Sequence, residues 1–164
     1  MARKVFYSFY YKEDASRIQQ VVNMGAVEGQ PLLSGQKWEE VERGGDAAIQ
    51  RWIADQMKGK TCLVVLVGTN TSKRRWVEYE IKKAWGDKLG VVGIRIHGLK
   101  DLATQRTSAS GANPFAKYNV AGKPFDSIVK LYDPPGADSK ALYASINNNI
   151  EKLAEEAIRV RAQY

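Results

Sequence analysis

One short apolar run constrains the fold of this chain more than any other feature. Residues Cys62 to Val67 read CLVVLV, and the run ends at Gly68. A segment this short, this apolar and this rich in β-branched residues is typical of a strand covered on both faces, as in the parallel sheets of α/β proteins. Ligands of such folds bind beyond the carboxyl ends of the strands. The sequence therefore places the candidate chemistry in residues 68–72 and in the helix that follows them.

Strands and helices alternate along the rest of the chain. The patterns predict strands at about 4–9, 31–33, 61–67, 90–96 and 128–132, of which the second is weak and lies in a glycine-rich loop. They predict one helix from about Asp14, one from about Asp46 to Met57, one around the segment 75–85, and a last one over about 139–162. Asp14 and Asp46 are the expected N-caps. We expect a parallel sheet of about five strands with helices on both faces, formed as one domain of residues 1–164.

The segment from Gly98 to about Phe125 does not fit this alternation. It contains a stretch rich in Ser, Ala and Gly and shows no helical or strand period. Because ordered connections in compact domains are usually much shorter, the length predicts a functional loop or a lid.

Charge and cysteine content limit the surroundings in which the chain works. The net charge is +7, but Lys and Arg are spread along the chain beside acidic residues, and only Lys73-Arg74-Arg75 form an unbroken basic triplet. Nucleic-acid binding is therefore a minor hypothesis. No segment has the roughly 18 apolar residues of a membrane span, and the first residues lack the apolar region of a signal peptide. With a single cysteine, Cys62, these features predict a soluble cytoplasmic protein that does not bind a membrane.

Glu80 is the main candidate for chemistry. On a helical wheel through the predicted helix, Glu80 lies at the border of the apolar face beside Trp76. A carboxylate at such a border is partly desolvated, which raises its pKa and suits it to exchange protons with a substrate hydroxyl. The competing interpretation is a solvated Glu80 paired with Lys83 or Lys73. Glu78 lies at the opposite border, and the pattern alone does not choose between the two glutamates.

Further candidates flank this helix. The basic triplet 73–75 lies at its start, where free backbone N–H groups and cationic side chains together suit a pyrophosphate, although a solvated triplet is the alternative. Ser8 lies near the end of the first strand, on the same side as Phe6 and Tyr10. A small polar residue at that position could face the site or have no role.

The sequence offers no metal site and no familiar nucleotide-binding loop. His97 is the one histidine and Cys62 the one cysteine, so no pair of metal ligands occurs at a usual spacing. Neither G-x-G-x-x-G nor G-x-x-x-x-G-K-[ST] is present. We therefore expect no metal and no bound cofactor, and we interpret His97 and Cys62 as structural.

Three segments resemble the bacterial TIR-like proteins of Thoeris antiphage systems. They are KVFYSFYY from Lys4 to Tyr11, RRWVEYEI from Arg74 to Ile81, and Asn113-Pro114-Phe115, with Trp38 as a further match. The most specific part is the RRWVxYE block. The likeness extends from the first strand to the long loop, and the region after Pro124 adds little to it.

The resemblance implies a flavodoxin-like TIR fold and an enzyme that cleaves NAD at the nicotinamide–ribose bond. The family's catalytic glutamate maps onto Glu80. The family's pocket maps onto Phe6, Ser8 and Tyr10, with Tyr10 in place of a histidine. The resemblance thus implies that NAD is a substrate rather than a cofactor, and that ADP-ribose then closes into a cyclic isomer. We expect the substrate-binding residues to be Phe6, Ser8, Tyr10, Lys73, Arg74, Arg75 and Trp76.

The same resemblance implies partners. A cyclic ADP-ribose isomer would act as a second messenger that activates a downstream effector, and a phage-derived trigger would switch the enzyme on. Assembly into a homo-oligomer is compatible with the family.

Two alternatives remain open. TIR domains also act as scaffolds that bind other TIR domains without catalysis, and then Glu80→Gln would leave function intact. Nucleic-acid binding would instead depend on the triplet 73–75 and weaken steeply with salt. Among these hypotheses, only the enzyme requires the carboxylate.

Overall fold

A computed structural model describes residues 3–33 and 35–164. The strands in chain order are β1 (Val5–Ser8), β2 (Cys62–Val67), β3 (Gly90–Arg95), β4 (Asn119–Val120), β5 (Lys123–Pro124) and β6 (Leu131–Tyr132). The helices are α1 (Tyr11–Val22), α2 (Gly35–Arg43), α3 (Gly45–Met57), α4 (Arg75–Gly86) and α5 (Ser139–Arg161). A parallel sheet of four strands has the order β1-β2-β3-β6, and β4 and β5 form a separate antiparallel hairpin. The predicted α/β fold is confirmed.

The sheet divides the core into two layers, because successive side chains of a strand point to opposite faces. Val64 and Leu66 of β2 belong to the layer that α1 and α5 cover. Leu63 and Val65 belong to the layer that α3 and α4 cover. Every residue of β2 is buried, as expected for a strand with helices on both faces. Within residues 3–33 and 35–164, none of the helices combines the length and the apolarity that crossing a bilayer requires.

The predicted strand at 31–33 is wrong. Its place beside β1 is taken by one isolated parallel bridge, between Lys4 and Glu28. The side-chain amide of Gln30 continues the pairing: it accepts a hydrogen bond from the Tyr7 backbone N–H and donates one to the Tyr7 carbonyl, each 2.8 Å long. The Gln30 side chain thus makes hydrogen bonds to β1 that the backbone of a neighbouring strand would otherwise make. The sequence therefore needs no strand pattern at this position.

Both predicted N-caps are also wrong. α1 begins at Tyr11, and Asp14 is buried inside it with non-helical φ and ψ of −117° and 16°. α3 begins at Gly45, and the Asp46 carboxylate pairs with Arg75 of α4 instead of capping its own helix. Asp46 pairs with a residue of another helix and Asp14 pairs with Arg17 of its own helix, so neither carboxylate caps a helix start.

The sequence pattern does not predict α2, which replaces part of the expected glycine-rich loop and carries Trp38. The Trp38 ring packs edge to face on Trp52 of α3, with ring centroids 5.6 Å apart. Packing against α3 therefore helps to stabilise this short helix.

The segment 98–125 is mainly irregular, as predicted, apart from the β4–β5 hairpin. Phe115 and Phe125 anchor it in the core, with ring centroids 5.8 Å apart. β6 begins later than predicted, because residues 125–127 form a 3-10 turn and Val129 N–H bonds the Phe125 carbonyl. The last helix, α5, matches its prediction closely.

Candidate functional site

Glu80 and Ser8 meet at the carboxyl end of the sheet. Ser8 is the last residue of β1, and its side chain points to the face that α4 covers. The apolar stripe of α4 packs on the sheet through Val77 and Ile81, which turns the neighbouring Glu80 toward the strand end. The Ser8 Oγ donates a hydrogen bond of 2.7 Å to Glu80 Oε1. Residues distant in sequence thus form one buried polar pair.

Burial governs the protonation of Glu80. The side chain is only 8% exposed, and burial raises its pKa to about 8. The hydrogen bond from Ser8 opposes this shift, because it stabilises the carboxylate. At neutral pH the Glu80 carboxyl group is therefore mostly protonated when no ligand is bound.

The solvated interpretation of Glu80 is wrong. Lys83 pairs with Asp87, 2.8 Å away, rather than with Glu80. Glu78, which the pattern could not distinguish from Glu80, is half-buried and pairs with Lys117. Of the two glutamates, tertiary structure places only Glu80 against a strand end.

The basic triplet lies exposed at the start of α4. Arg74 stacks over the Tyr10 ring, with its guanidinium carbon 4.1 Å from the ring centroid. Arg75 lies over the Trp76 ring at 4.5 Å and also pairs with Asp46. Lys73 ends a 3-10 turn directly before this helix. The structure thus gathers Tyr10, Trp76 and the triplet at one helix start.

Aromatic residues build the wall behind Ser8. Phe6 has no exposed surface and packs edge to face on Trp52, with ring centroids 6.4 Å apart. Trp76 packs on Tyr79 in the same manner, at 5.4 Å. In this conformation Phe6 therefore supports the site from the core side, whereas Trp76 is partly exposed.

The loop between β2 and α4 is held by its own side chains and by the long loop. Thr71 Oγ1 accepts a hydrogen bond of 2.7 Å from Gly68 N–H, and both residues are buried. Lys117 donates to the Ser72 carbonyl at 2.8 Å and pairs with Glu78. Sequence reasoning missed Lys117, since a lone lysine in an irregular loop carries no signal of its partners.

A buried ion pair adjoins this loop and was not foreseeable from the sequence. Asp14 and Arg17, 2% and 5% exposed, are joined by a contact of 3.2 Å between Oδ1 and Nη1. Arg17 also donates to the carbonyls of Leu99 and Arg106, at 2.8 and 3.0 Å. The Asp14 carboxylate packs so tightly on Gly68 that a Cβ there would overlap it. An i,i+3 pair of opposite charges usually predicts a solvated helix face.

His97 and Cys62 lie outside this constellation. Burial lowers the pKa of His97, and burial raises the pKa of the Cys62 thiol to about 12. Cys62 is the first residue of β2 and is fully buried. Over the part of the chain that the structure describes, His, Cys, Asp and Glu form no cluster of three or more that could hold a metal ion.

Comparison with known proteins identifies the family. The family described as "Thoeris protein ThsB, TIR-like domain" matches residues 6–101. The chain belongs to this family. The matched region contains Ser8, Glu80 and the triplet 73–75, so the Thoeris resemblance and the flavodoxin-like TIR fold are confirmed.

A relative from Bacillus cereus (strain MSX-D12) carries the name "Putative cyclic ADP-D-ribose synthase ThsB1". It is 29% identical over 168 residues, covering 97% of this chain and 85% of the relative. The similarity of this Thoeris TIR-like protein to its relative thus includes β6 and α5, which lie beyond the family match.

Proposed function

We propose that this Thoeris TIR-like protein cleaves NAD at the nicotinamide–ribose bond and closes ADP-ribose into a cyclic isomer. The product would act as a second messenger for an effector in antiphage defence. The observation that carries this proposal is the buried Glu80 carboxyl group, hydrogen-bonded to Ser8 at the carboxyl end of the sheet. The name of the Bacillus cereus relative, "Putative cyclic ADP-D-ribose synthase ThsB1", supports it.

The proposed reaction needs negative charge beside the ribose. Breaking the bond to nicotinamide leaves an oxocarbenium-like ribosyl group, which a nearby carboxylate stabilises. The nicotinamide ring of NAD is itself cationic, and a neighbouring cation favours the charged form of a carboxyl group. We therefore expect bound NAD to lower the pKa of Glu80 and to release its proton. Ser8 holds Oε1, which leaves Oε2 for the ribose hydroxyls.

Ring closure needs water to be kept away from the reacting carbon. Once nicotinamide has left, a nucleophilic atom of the same ADP-ribose attacks the anomeric carbon in place of water. The low exposure of Glu80 and the aromatic wall of Phe6 and Trp52 favour such exclusion. Hydrolysis to linear ADP-ribose is the reaction that this wall would suppress.

The basic triplet would hold the pyrophosphate at the start of α4, with Tyr10 and Trp76 as its aromatic neighbours. Arg75 now pairs with Asp46 in an exposed contact. Exposed ion pairs contribute only about 0–1 kcal/mol, so a pyrophosphate can displace Asp46. Arg74 would approach the same ligand from its position over Tyr10.

The test is mass spectrometry of small molecules from phage-infected cells that express the wild-type chain, Glu80→Gln or Glu78→Gln. Glu78 is the matched control, because it lies on the same helix but pairs with Lys117. We expect a cyclic ADP-ribose isomer with the wild type and the control, and a loss of at least about 100-fold with Glu80→Gln. Before infection we expect little product, since constant NAD consumption would harm the host. Undiminished product from Glu80→Gln would refute the proposal.

The low exposure of Glu80 also favours a second candidate, a TIR-like interaction module without catalysis. The same experiment separates the two. The module would yield no cyclic product from any of the three chains, and Glu80→Gln would still protect the cells from phage.

A further inference from the structure

The long loop crosses the carboxyl end of the sheet and rests on the loop after β2. Thr69 Oγ1 donates a hydrogen bond of 2.5 Å to the Ala109 carbonyl. Gly111 lies so close to the carbonyl oxygens of Gly68 and Thr69 that a Cβ there would be 2.4 Å from each. Arg95, the last residue of β3, donates from Nη1 to the Gly111 carbonyl at 2.7 Å. This part of the long loop therefore covers the carboxyl ends of β2 and β3.

Arg95 belongs to the face of the sheet that carries the candidate site. Side chains alternate between the faces along a strand, and Val91 of β3 and Phe6 of β1 lie in the layer that α3 and α4 cover. Arg95 and Ser8 follow these residues by four and two positions, so they point to the same layer. Two strand spacings, roughly 10 Å, separate β1 from β3 across the sheet. The Arg95 guanidinium group is thus held on the site face, across β2 from Ser8.

The loop after β2 lies between Arg95 and the pair of Glu80 and Ser8. β2 is the direct neighbour of β1, so residues 68–72 leave the sheet next to Ser8 and lead toward α4, which carries Glu80. The aromatic wall behind Ser8 shields the site from the core side. On the β3 side, residues 68–72 are backed by the long loop, which Arg95 holds in place. The long loop therefore closes the site region on the side that the aromatic wall does not reach.

The charge of Arg95 meets a backbone carbonyl rather than a carboxylate. In residues 3–33 and 35–164, none of the salt bridges includes Arg95, although its side chain is half-buried. A hydrogen bond from a charged donor is stronger than one between neutral groups. The contact with Gly111 is therefore well suited to hold an irregular segment in one place.

We propose that Arg95 is a positioning residue that keeps the long loop on residues 68–72, and that this contact directs the reaction to the cyclic product by keeping water out. The inference rests on the proposed NAD cleavage. In that reaction the nicotinamide nitrogen leaves with the electron pair of its bond to ribose. Cyclisation then bonds the anomeric carbon to a nucleophilic atom of the same ADP-ribose, whereas hydrolysis bonds it to the oxygen of water. Water or an attacking hydroxyl gives up one proton to the solvent.

The ratio of cyclic to linear product tests this role. Lysates of phage-infected cells that express the chain receive NAD labelled with ¹³C in its adenosine part, and lysates without the chain give the background. Mass spectrometry follows the loss of labelled NAD and the formation of the labelled cyclic isomer and of labelled linear ADP-ribose. For Arg95→Met we expect the ratio of cyclic to linear product to fall at least about tenfold, while NAD is consumed within about threefold of the wild-type rate.

A conservative variant and a control accompany this change. Arg95 gives one hydrogen bond to Gly111 rather than a fork, so the ammonium group of Arg95→Lys can replace it. We expect Arg95→Lys to keep the ratio within about threefold of the wild type. Arg159→Met removes the same charge from an exposed position on α5 and should change neither the ratio nor the rate.

A second pair of variants reaches the same contact from the loop after β2. Thr69→Val removes the hydroxyl that bonds the Ala109 carbonyl but keeps the shape of the side chain, whereas Thr69→Ser keeps the hydroxyl. We expect Thr69→Val to lower the ratio at least about threefold and Thr69→Ser to preserve it. Both variants should melt near the wild-type temperature, because this hydrogen bond is exposed.

The outcomes separate this inference from the proposed function. An unchanged ratio in both Arg95→Met and Thr69→Val would overturn the inference, and so would an equal loss of both products in Thr69→Val. If wild-type lysates consume labelled NAD no faster than lysates without the chain, the proposed function itself fails, and the inference fails with it.

Discussion

The carboxyl group of Glu80 lies in mostly apolar surroundings. These surroundings determine both its reactivity and its contribution to the stability of the fold. The pKa is about 8 in the folded chain, against an ordinary value of 4.5. Between these values the folded chain holds a proton that the unfolded chain has lost. The contribution of this group to stability is therefore fully present below about pH 4.5 and is lost as pH rises through about 8, by up to roughly 1.4 kcal/mol per pH unit.

Glu80→Gln should remove this pH dependence. The amide is uncharged at every pH and keeps an oxygen that can accept the Ser8 hydrogen bond. We expect the free energy of unfolding of the variant to exceed that of the wild type by a growing margin between about pH 5 and pH 8, measured by urea denaturation. Asp14 and His97 titrate in both chains, so the difference isolates Glu80. If the free energies of unfolding of the two chains changed with pH in parallel, Glu80 would not be desolvated in the folded chain.

At the scale of single elements, the pairing of Tyr7 at the outer edge of β1 depends on one side chain. Gln30→Ala would leave the Tyr7 backbone N–H and carbonyl without the two bonds that Gln30 now makes. We expect a loss of about 1–3 kcal/mol in the free energy of unfolding, measured by chemical denaturation.

Gln20→Ala is the matched control for Gln30→Ala. Gln20 also bonds a backbone carbonyl, that of Lys100, but at an exposed position where water can replace the amide. We expect this change to cost less than about 0.5 kcal/mol. Equal losses of unfolding free energy in the two variants would mean that the hydrogen bonds from Gln30 to β1 contribute no more to stability than the exposed bond of Gln20.

A second element-scale contact connects the long loop to the loop after β2. Gly111 lies against the carbonyl oxygens of Gly68 and Thr69, and a Cβ added there would overlap both. Arg95 holds the Gly111 carbonyl at 2.7 Å, so the backbone cannot simply move away. Gly111→Ala should therefore displace the loop that leads into α4.

We expect Gly111→Ala to lower the melting temperature by several degrees and to reduce formation of the cyclic product in infected cells. Gly86→Ala is the control, because a Cβ at the end of α4 meets nothing within 4 Å. That change should be neutral or slightly stabilising. If both variants behave like the wild type, the contact between the two loops is not tight.

At the scale of the whole molecule, the sheet needs its C-terminal part. α5 packs on β2 and β3 and buries Ile146, Ile150 and Leu153 in the layer shared with α1. Removing it would expose Val64 and Leu66 of the central strand. The family match ends at residue 101, well before this helix.

A chain that ends at Asp138 should therefore fail to fold, whereas a chain that ends at Ala162 should unfold in one transition like the wild type. Circular dichroism during thermal denaturation measures both. The short truncation is the control, since it removes only the residues that follow α5 and its C-cap. A cooperative transition in the chain that ends at Asp138 would show that the residues before α5 form a core of their own. That result would contradict the predicted single domain.

Much of the fold could be predicted from local sequence patterns. The unbroken apolar run of β2 and the helical periods of α4 and α5 are properties of neighbouring residues, so they can be read from the chain without knowing its partners. The same holds for the position of Glu80 at the border of an apolar face. The sequence pattern also places the loop after β2 at the carboxyl end of a parallel sheet.

Long-range contacts decided the rest. Ser8 and Glu80 are 72 residues apart, and Gln30 reaches Tyr7 across 23 residues, so no local period records either pair. The sequence pattern predicted Asp14 to be a helix cap and allowed a solvated Glu80. In the structure both side chains are buried, because α1 and α4 pack on the sheet. Propensity and spacing determined most elements of this protein, apart from α2 and the segment beside β1, whereas burial, which exists only once the layers assemble, determined its charge states and the pairing of its polar groups.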